Sequence, residues 1–136
     1  MLKLLYVVGL PLAPKQSNVT YVHNSSSVTI TWLPSVNGGN VLYSVECSRC
    51  KSAADNDCFN NFCGALLTFY PKRDQISWLN VTIGGLRTLT KYKFTVYSVN
   101  EVTKSVPRSK WNYLEIFATT SKGKKNLLHA FDNKII

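Results

Sequence analysis

The chain is read as an all-β protein, a seven-stranded antiparallel β-sandwich, on three observations. Apolar and polar residues alternate with period two along most of its length. The alternating runs are short and are bounded by Gly, Pro, Asn and Ser turn signals. No stretch of useful length repeats with a helical period; the segment 126–136 comes nearest and is too short to hold a helix alone.

Val19 to Val22 reads as the opening strand. Val28, Ile30 and Trp32 then alternate with Thr29 and Thr31, bounded by a serine-rich turn and Pro34, as expected for a half-buried strand of β-branched and aromatic residues. After the turn signal Asn37-Gly-Gly-Asn40, Val41, Tyr43, Val45 and Cys47 point one way and Ser44, Glu46 and Ser48 the other. These two runs read as a hairpin. Leu66 to Tyr70 supplies a fourth strand, and Leu79, Val81 and Ile83, against Asn80 and Thr82, a fifth. Tyr92, Phe94 and Val96 face away from Lys91, Lys93 and Thr95, and Leu114, Ile116 and Ala118 away from Glu115 and Thr119, which completes seven.

At 136 residues and 45% hydrophobic, the sequence suffices for one domain with its own core plus a tail. Residues 11–121 form that domain, 1–10 an apolar leader resembling a clipped signal peptide, and 122–136 a basic, unstructured tail. The leader's run Leu4 to Leu10 is far too short to cross a bilayer, and no other run comes closer, so no membrane span is expected. The formal charge of +9 is heaviest late in the chain, where Lys104, Arg108, Lys110, Lys122, Lys124 and Lys125 are answered mainly by Glu115. Such a field suits weak heparan sulfate binding. Nucleic acid is disfavoured, because the basic residues are not interleaved with aromatics and no nucleic-acid-binding signature is present.

Four cysteines, Cys47, Cys50, Cys58 and Cys63, fall within seventeen residues, and the rest of the chain has none. They suit either two disulfides pinning a long loop or a four-thiolate zinc site. Three N-glycosylation sequons, at Asn18, Asn24 and Asn80, together with the leader, favour an oxidising, extracellular setting and hence disulfides. The spacer between the two pairs is also short for a zinc ribbon, which leaves an intracellular four-cysteine zinc protein as the rival. Asn80 falls on the outward phase of its strand, where a sugar would leave the core undisturbed.

No enzymatic constellation is found. His23 and His129 have no nucleophile in a sharp turn beside them, and there is no phosphate-binding glycine loop and no carboxylate pair. Asp55 and Asp57 lack the glycine and distal glutamate of a calcium loop. No cofactor or metal is expected.

The stretch from Leu86 through Tyr92, Phe94, Val96 and Val99 to Asn100 resembles the strand E to strand F signature of fibronectin type III domains, with Trp32 in the place of the strand B tryptophan. The resemblance implies a core built on Trp32, Leu86 and Tyr92, with the Tyr92 hydroxyl bonded back to the backbone near Leu86. The cysteines narrow it further. Val45-Glu-Cys47-Ser-Arg-Cys50 followed by Cys58 and Cys63, the entry Pro11-Leu-Ala-Pro14, the segment Tyr97 to Thr103 and the closing Ala118-Thr-Thr120 are similar to the first fibronectin type III domain of Eph receptor tyrosine kinases. The match covers about residues 11 to 121; the spacing between Cys58 and Cys63, and Glu101 in place of a glycine, depart from the pattern.

That likeness implies a non-catalytic extracellular interaction and spacer module, whose partners are other receptor domains or neighbouring receptor ectodomains in receptor assembly and signalling. Kinase and ephrin-binding chemistry would belong to domains elsewhere. Candidate contact residues are Phe59 and Phe62 in the cysteine loop and Trp111 at the end of the loop from Asn100 to Lys110. A generic secreted adhesion or cytokine-receptor-like module is the alternative, although Arg108-Ser-Lys-Trp111 is not the tryptophan-serine box of cytokine receptors. All three disulfide pairings remain open, with crossed or nested links between the two pairs favoured over very small rings.

Overall fold

The computed structural model describes residues 9–22, 26–37, 39–54, 56–58 and 63–122. Seven strands run in the order β1 Lys15–Val22, β2 Ser27–Leu33, β3 Leu42–Arg49, β4 Thr68–Tyr70, β5 Asn80–Gly84, β6 Lys91–Val99 and β7 Tyr113–Thr119. They form two antiparallel sheets, one ordered β1-β2-β5-β4 and the other β3-β6-β7, packed face to face as an all-β sandwich.

Alternation decides what fills the space between the sheets. Val28, Ile30 and Trp32 of β2 and Val81 and Ile83 of β5 meet Tyr43 and Val45 of β3, Tyr92, Phe94 and Val96 of β6, and Ile116 and Ala118 of β7, all buried in one cluster. Trp32, Tyr92 and Phe94 are the largest side chains fully enclosed. Each removes on the order of 150–250 Å² from water, worth roughly 4–6 kcal/mol before conformational entropy is counted.

The hairpin expected from runs 28–32 and 41–47 does not form. β2 pairs with β1 and β5, whereas β3 pairs with β6 and belongs to the opposite sheet. The two runs meet through side chains: Trp32 and Tyr43 pack edge to face, 5.4 Å between ring centroids, and the Tyr43 hydroxyl accepts a 3.0 Å bond from the Ser35 amide in the connection. Large rings on both inward faces fill the gap between sheets, and the connection becomes a crossover.

Strand limits also differ from the sequence reading. β1 begins earlier, at Lys15, and the fourth strand contracts to Thr68–Tyr70, with Leu66 in a turn and strongly exposed. Gly85 approaches that turn so closely that a Cβ would lie 2.6 Å from the Leu66 carbonyl oxygen, and its φ of +81° suits glycine.

At one end of the sandwich the entry segment is strapped down by two amides. Asn100 Nδ2 donates to the Gly9 carbonyl and Asn112 Nδ2 to the Pro11 carbonyl, each at 2.8 Å. At the edge where the sheets meet, the Tyr21 hydroxyl of β1 accepts from the Thr119 amide of β7 at 3.0 Å. Among the described residues, no helix is long and apolar enough to cross a membrane.

Candidate functional site

Two features project from this scaffold, both rooted on β3 and β6. The first is the cysteine loop. Cys47 pairs with Cys63 and Cys50 with Cys58, so a link closing a separation of 8 lies nested inside one closing 16. Cys47 and Cys63 pack against the core, and Cys50 and Cys58 are buried beside it. The loop is then hung on β6: the Cys50 amide donates to the Lys91 carbonyl at 2.9 Å, and Lys91 Nζ donates to Asn56 Oδ1 at 2.6 Å. Within the loop, the Lys51 amide donates to the Asp57 carbonyl and the two side chains form a 3.1 Å ion pair.

With all four sulfurs spent in two bonds, none is left as a thiolate ligand. Among the described residues no group of His, Cys, Asp and Glu could hold a metal ion. Phe59 and Phe62, with Asp55, lie outside the described residues.

The second feature is an aromatic and ionic stack on the outer face of β3-β6-β7. Tyr97 extends the outward phase of Lys93 and Thr95 along β6, and Tyr113 stands opposite it on β7. Their rings lie 5.7 Å apart. The Arg108 guanidinium sits 5.0 Å from the Tyr97 ring and 4.9 Å from that of Trp111, so it is shared between two π faces. One Arg108 nitrogen also donates to Glu46 Oε2 at 2.6 Å, while the Tyr97 hydroxyl donates to Glu46 Oε1 at 3.1 Å.

Electrostatics follow from this packing. Burial, reinforced by the charge and hydrogen bond of Glu46, pushes the Tyr97 phenol up to about 12, with Arg108 pulling the other way. The Glu46 carboxylate is thereby held between a phenolic donor and a guanidinium, a fixed polar centre on an otherwise open sheet.

The loop supplying Arg108 is ordered by its own polar groups. Asn100 Oδ1 accepts from the Val102 and Thr103 amides, and Thr103 Oγ1 donates back to the Asn100 carbonyl at 2.6 Å. Short 3-10 turns follow at Thr103–Ser105 and Arg108–Lys110. The Trp111 indole N–H, at 2.9 Å from the Thr103 carbonyl and 3.2 Å from that of Val106, locks the end of the loop. Beside the stack lies an open cleft of about 400 Å³ lined by Glu46, Ser48, Lys93, Tyr97, Arg108 and Glu115, among others.

The sequence-derived residues thus fall in different places. Trp32, Leu86 and Tyr92 lie in the shared core, and the Tyr92 hydroxyl accepts a 2.8 Å bond from the Arg87 amide. Trp111 is half-buried in the stack. Asn18 and Asn80 lie on the four-stranded sheet, on the opposite side of the sandwich. Asn24, the histidines His23 and His129, and residues 1–8 and 123–136 lie outside the described residues. Arg108, Tyr97 and Glu46 were not singled out as a unit by sequence, although the outward phase of β3 and β6 holds the signal for Glu46 and Tyr97.

A model of the fibronectin type III domain matches residues 12–113. Ephrin type-B receptor 3 of Xenopus laevis is 32% identical over 119 residues, covering 84% of this chain and 11% of the receptor. Ephrin type-A receptor 4-A of the same organism is 34% identical over 102 residues, covering 71% and 10%. The mouse ephrin type-A receptor 1 is 29% identical over 96 residues, covering 68% and 10%. The chain spans about a tenth of the length of these curated relatives. Among solved structures, the FN5 domain of Drosophila Lar superposes with a TM-score of 0.52 at 20% identity, covering 84% of this chain and 100% of that one, a likeness of fold.

Proposed function

Because this chain belongs to the fibronectin type III family, we propose that it serves as a non-catalytic extracellular module of an ephrin-receptor-like ectodomain, spacing its neighbours and contacting other receptor domains. The pair of nested disulfides at the end of β3 and in the loop that follows it carries this reading. A β-sandwich of this size with a well-filled core has little need of sulfur bridges to fold, and their presence favours an oxidising compartment. Their position also coincides with the cysteine-bearing segment on which the resemblance to ephrin receptors rests.

The contact surface in this proposal is the outer face of β3-β6-β7. Its Tyr97, Tyr113 and Trp111 rings, with Arg108, have the composition in which protein interfaces are enriched, and they are held rigid by Glu46 and the 100–112 loop. The net positive charge adds weak, salt-sensitive attraction to heparan sulfate as a secondary contact.

The test is binding of the full chain, secreted with its disulfides intact, to immobilised ephrin-receptor ectodomains by surface plasmon resonance. Saturable binding weakened about tenfold or more by Tyr113→Ala, a loss of about 1.4 kcal/mol, is expected. Four alkylatable thiols in the secreted chain, or no saturable binding to any ectodomain, overturns the proposal.

A further inference from the structure

Two of the sequons, Asn18-Val-Thr20 and Asn80-Val-Thr82, are 62 positions apart in the chain, yet the sheet places them in one row. Asn18 of β1 stands opposite Thr31 of β2, and Thr31 opposite Asn80 of β5. The next row repeats the arrangement for the sequon hydroxyls, with Thr20 opposite Thr29 and Thr29 opposite Thr82. Residues directly opposite on neighbouring strands share a face. That face is the outer one, because Ile30 and Trp32 of β2 and Val81 and Ile83 of β5 take the inward phase. Asn18 is exposed and Asn80 half-exposed.

From this register we infer that the outer face of β1-β2-β5-β4 is a sugar-bearing face, with N-linked glycans side by side on Asn18 and Asn80, leaving the outer face of β3-β6-β7 as the open one. The inference rests on the extracellular reading above. With β2 alone between them, the acceptors are two strand spacings apart, about 10 Å. Two branched sugars rooted so closely cover the short strands around them, including Leu33 and the exposed Tyr70–Trp78 ring pair at the β4 side. Asn18 also lies on an edge strand, where a bulky hydrophilic group blocks pairing with another chain.

The modification is a group transfer. The side-chain amide nitrogen of each asparagine attacks the anomeric carbon of a lipid-pyrophosphate-linked oligosaccharide. The new N–C1 bond replaces the C1–O bond to phosphate, and the lipid pyrophosphate and a proton leave.

The experiment is secretion of the full chain from a eukaryotic host behind a heterologous leader. Glycans are then released by an amidase in heavy-oxygen water, which marks each occupied asparagine as labelled aspartate. Both Asn18 and Asn80 should carry the label, and Asn18→Gln and Asn80→Gln should each remove the mass of one glycan. Hydroxyl-radical footprinting before and after release should then show gained reactivity at Leu33, Tyr70 and Trp78 and none at Tyr113 or Phe117. A secreted, disulfide-bonded chain with either asparagine unlabelled, or with Tyr113 and Phe117 uncovered equally, overturns the inference while leaving the extracellular reading intact. A chain recovered with four free thiols overturns both.

Discussion

At Tyr92 a single oxygen fastens the turn between β5 and β6. Its ring is buried in the core and its hydroxyl accepts the Arg87 amide, so Tyr92→Phe preserves the packing and leaves that amide without its acceptor. The expected loss is about 1–2 kcal/mol, read as a lower urea midpoint with unchanged slope. Tyr97 behaves differently, because its environment resists ionisation. In the unfolded chain the phenol ionises near 10 and in the folded protein at about 12, so this stabilising contribution is complete below pH 10 and is lost as pH climbs from 10 to 12. Alkaline unfolding curves should show that loss. Glu46→Gln should lower the Tyr97 transition in a pH titration followed by phenolate absorbance, and Tyr97→Phe should abolish it. Arg108 links these groups, and Arg108→Lys keeps the charge but forfeits the planar overlap with Tyr97 and Trp111. Such half-exposed contacts are worth about 0.5–1 kcal/mol, so the clearer readout is faster amide exchange at Ser105, Val106 and Lys110, whose amides close the turns of this loop.

Among the elements, the clasp separates into two unequal parts. The outer bond joins β3 to the approach to β4 and has both sulfurs against the core, while the inner bond closes a short ring near the start of β6. By loop closure alone, replacing the outer pair with alanines should cost about 3 kcal/mol and the inner pair about 2.5 kcal/mol. Both variants should lose more than this, because Cys50 and Cys58 are buried as Cys63 is, and their removal empties packed volume too; melting temperatures of the two double variants decide the order. How these elements could be read in advance depended on the kind of force that fixes them. Val28, Ile30 and Trp32 announced β2 because inward and outward positions alternate with chemistry. The sheet to which β2 belongs was not legible, since it follows from how Trp32 and Tyr43 share the space between layers. Cysteine spacing likewise left three pairings open, because the bends that bring Cys47 to Cys63 belong to the folded loop. Arg108 is legible in the sequence only as one of the late basic residues, for a similar reason: its position over two rings depends on the turns at Thr103–Ser105 and Arg108–Lys110, which carry no periodic pattern.

Across the whole molecule, the two faces differ: the sequon asparagines Asn18 and Asn80 lie on one sheet, and the Tyr97, Tyr113 and Trp111 rings with the Arg108–Glu46 ion pair lie at the other. Most of the sixteen basic residues lie outside the strands, in the connections and late in the chain, so the charge of +9 should act as a field with no single pocket. Retention on immobilised heparin at low ionic strength is expected, with release well before the Debye length falls to about 3 Å near 1 M salt. A chain that remains bound at that ionic strength would point to a built sulfate site. The ends matter as well. Gly9 and Pro11 are tied to Asn100 and Asn112 at one pole, whereas β7 ends at Thr119 beside Lys91, at the pole that carries the clasp. β1 and β7 therefore run the same way along their shared edge, stitched by the Tyr21–Thr119 bond. Tension applied between residues 9 and 122 would slide these two strands past one another along their length, so this domain should resist pulling as a shear joint does and pass force down a row of such domains without folding back on itself.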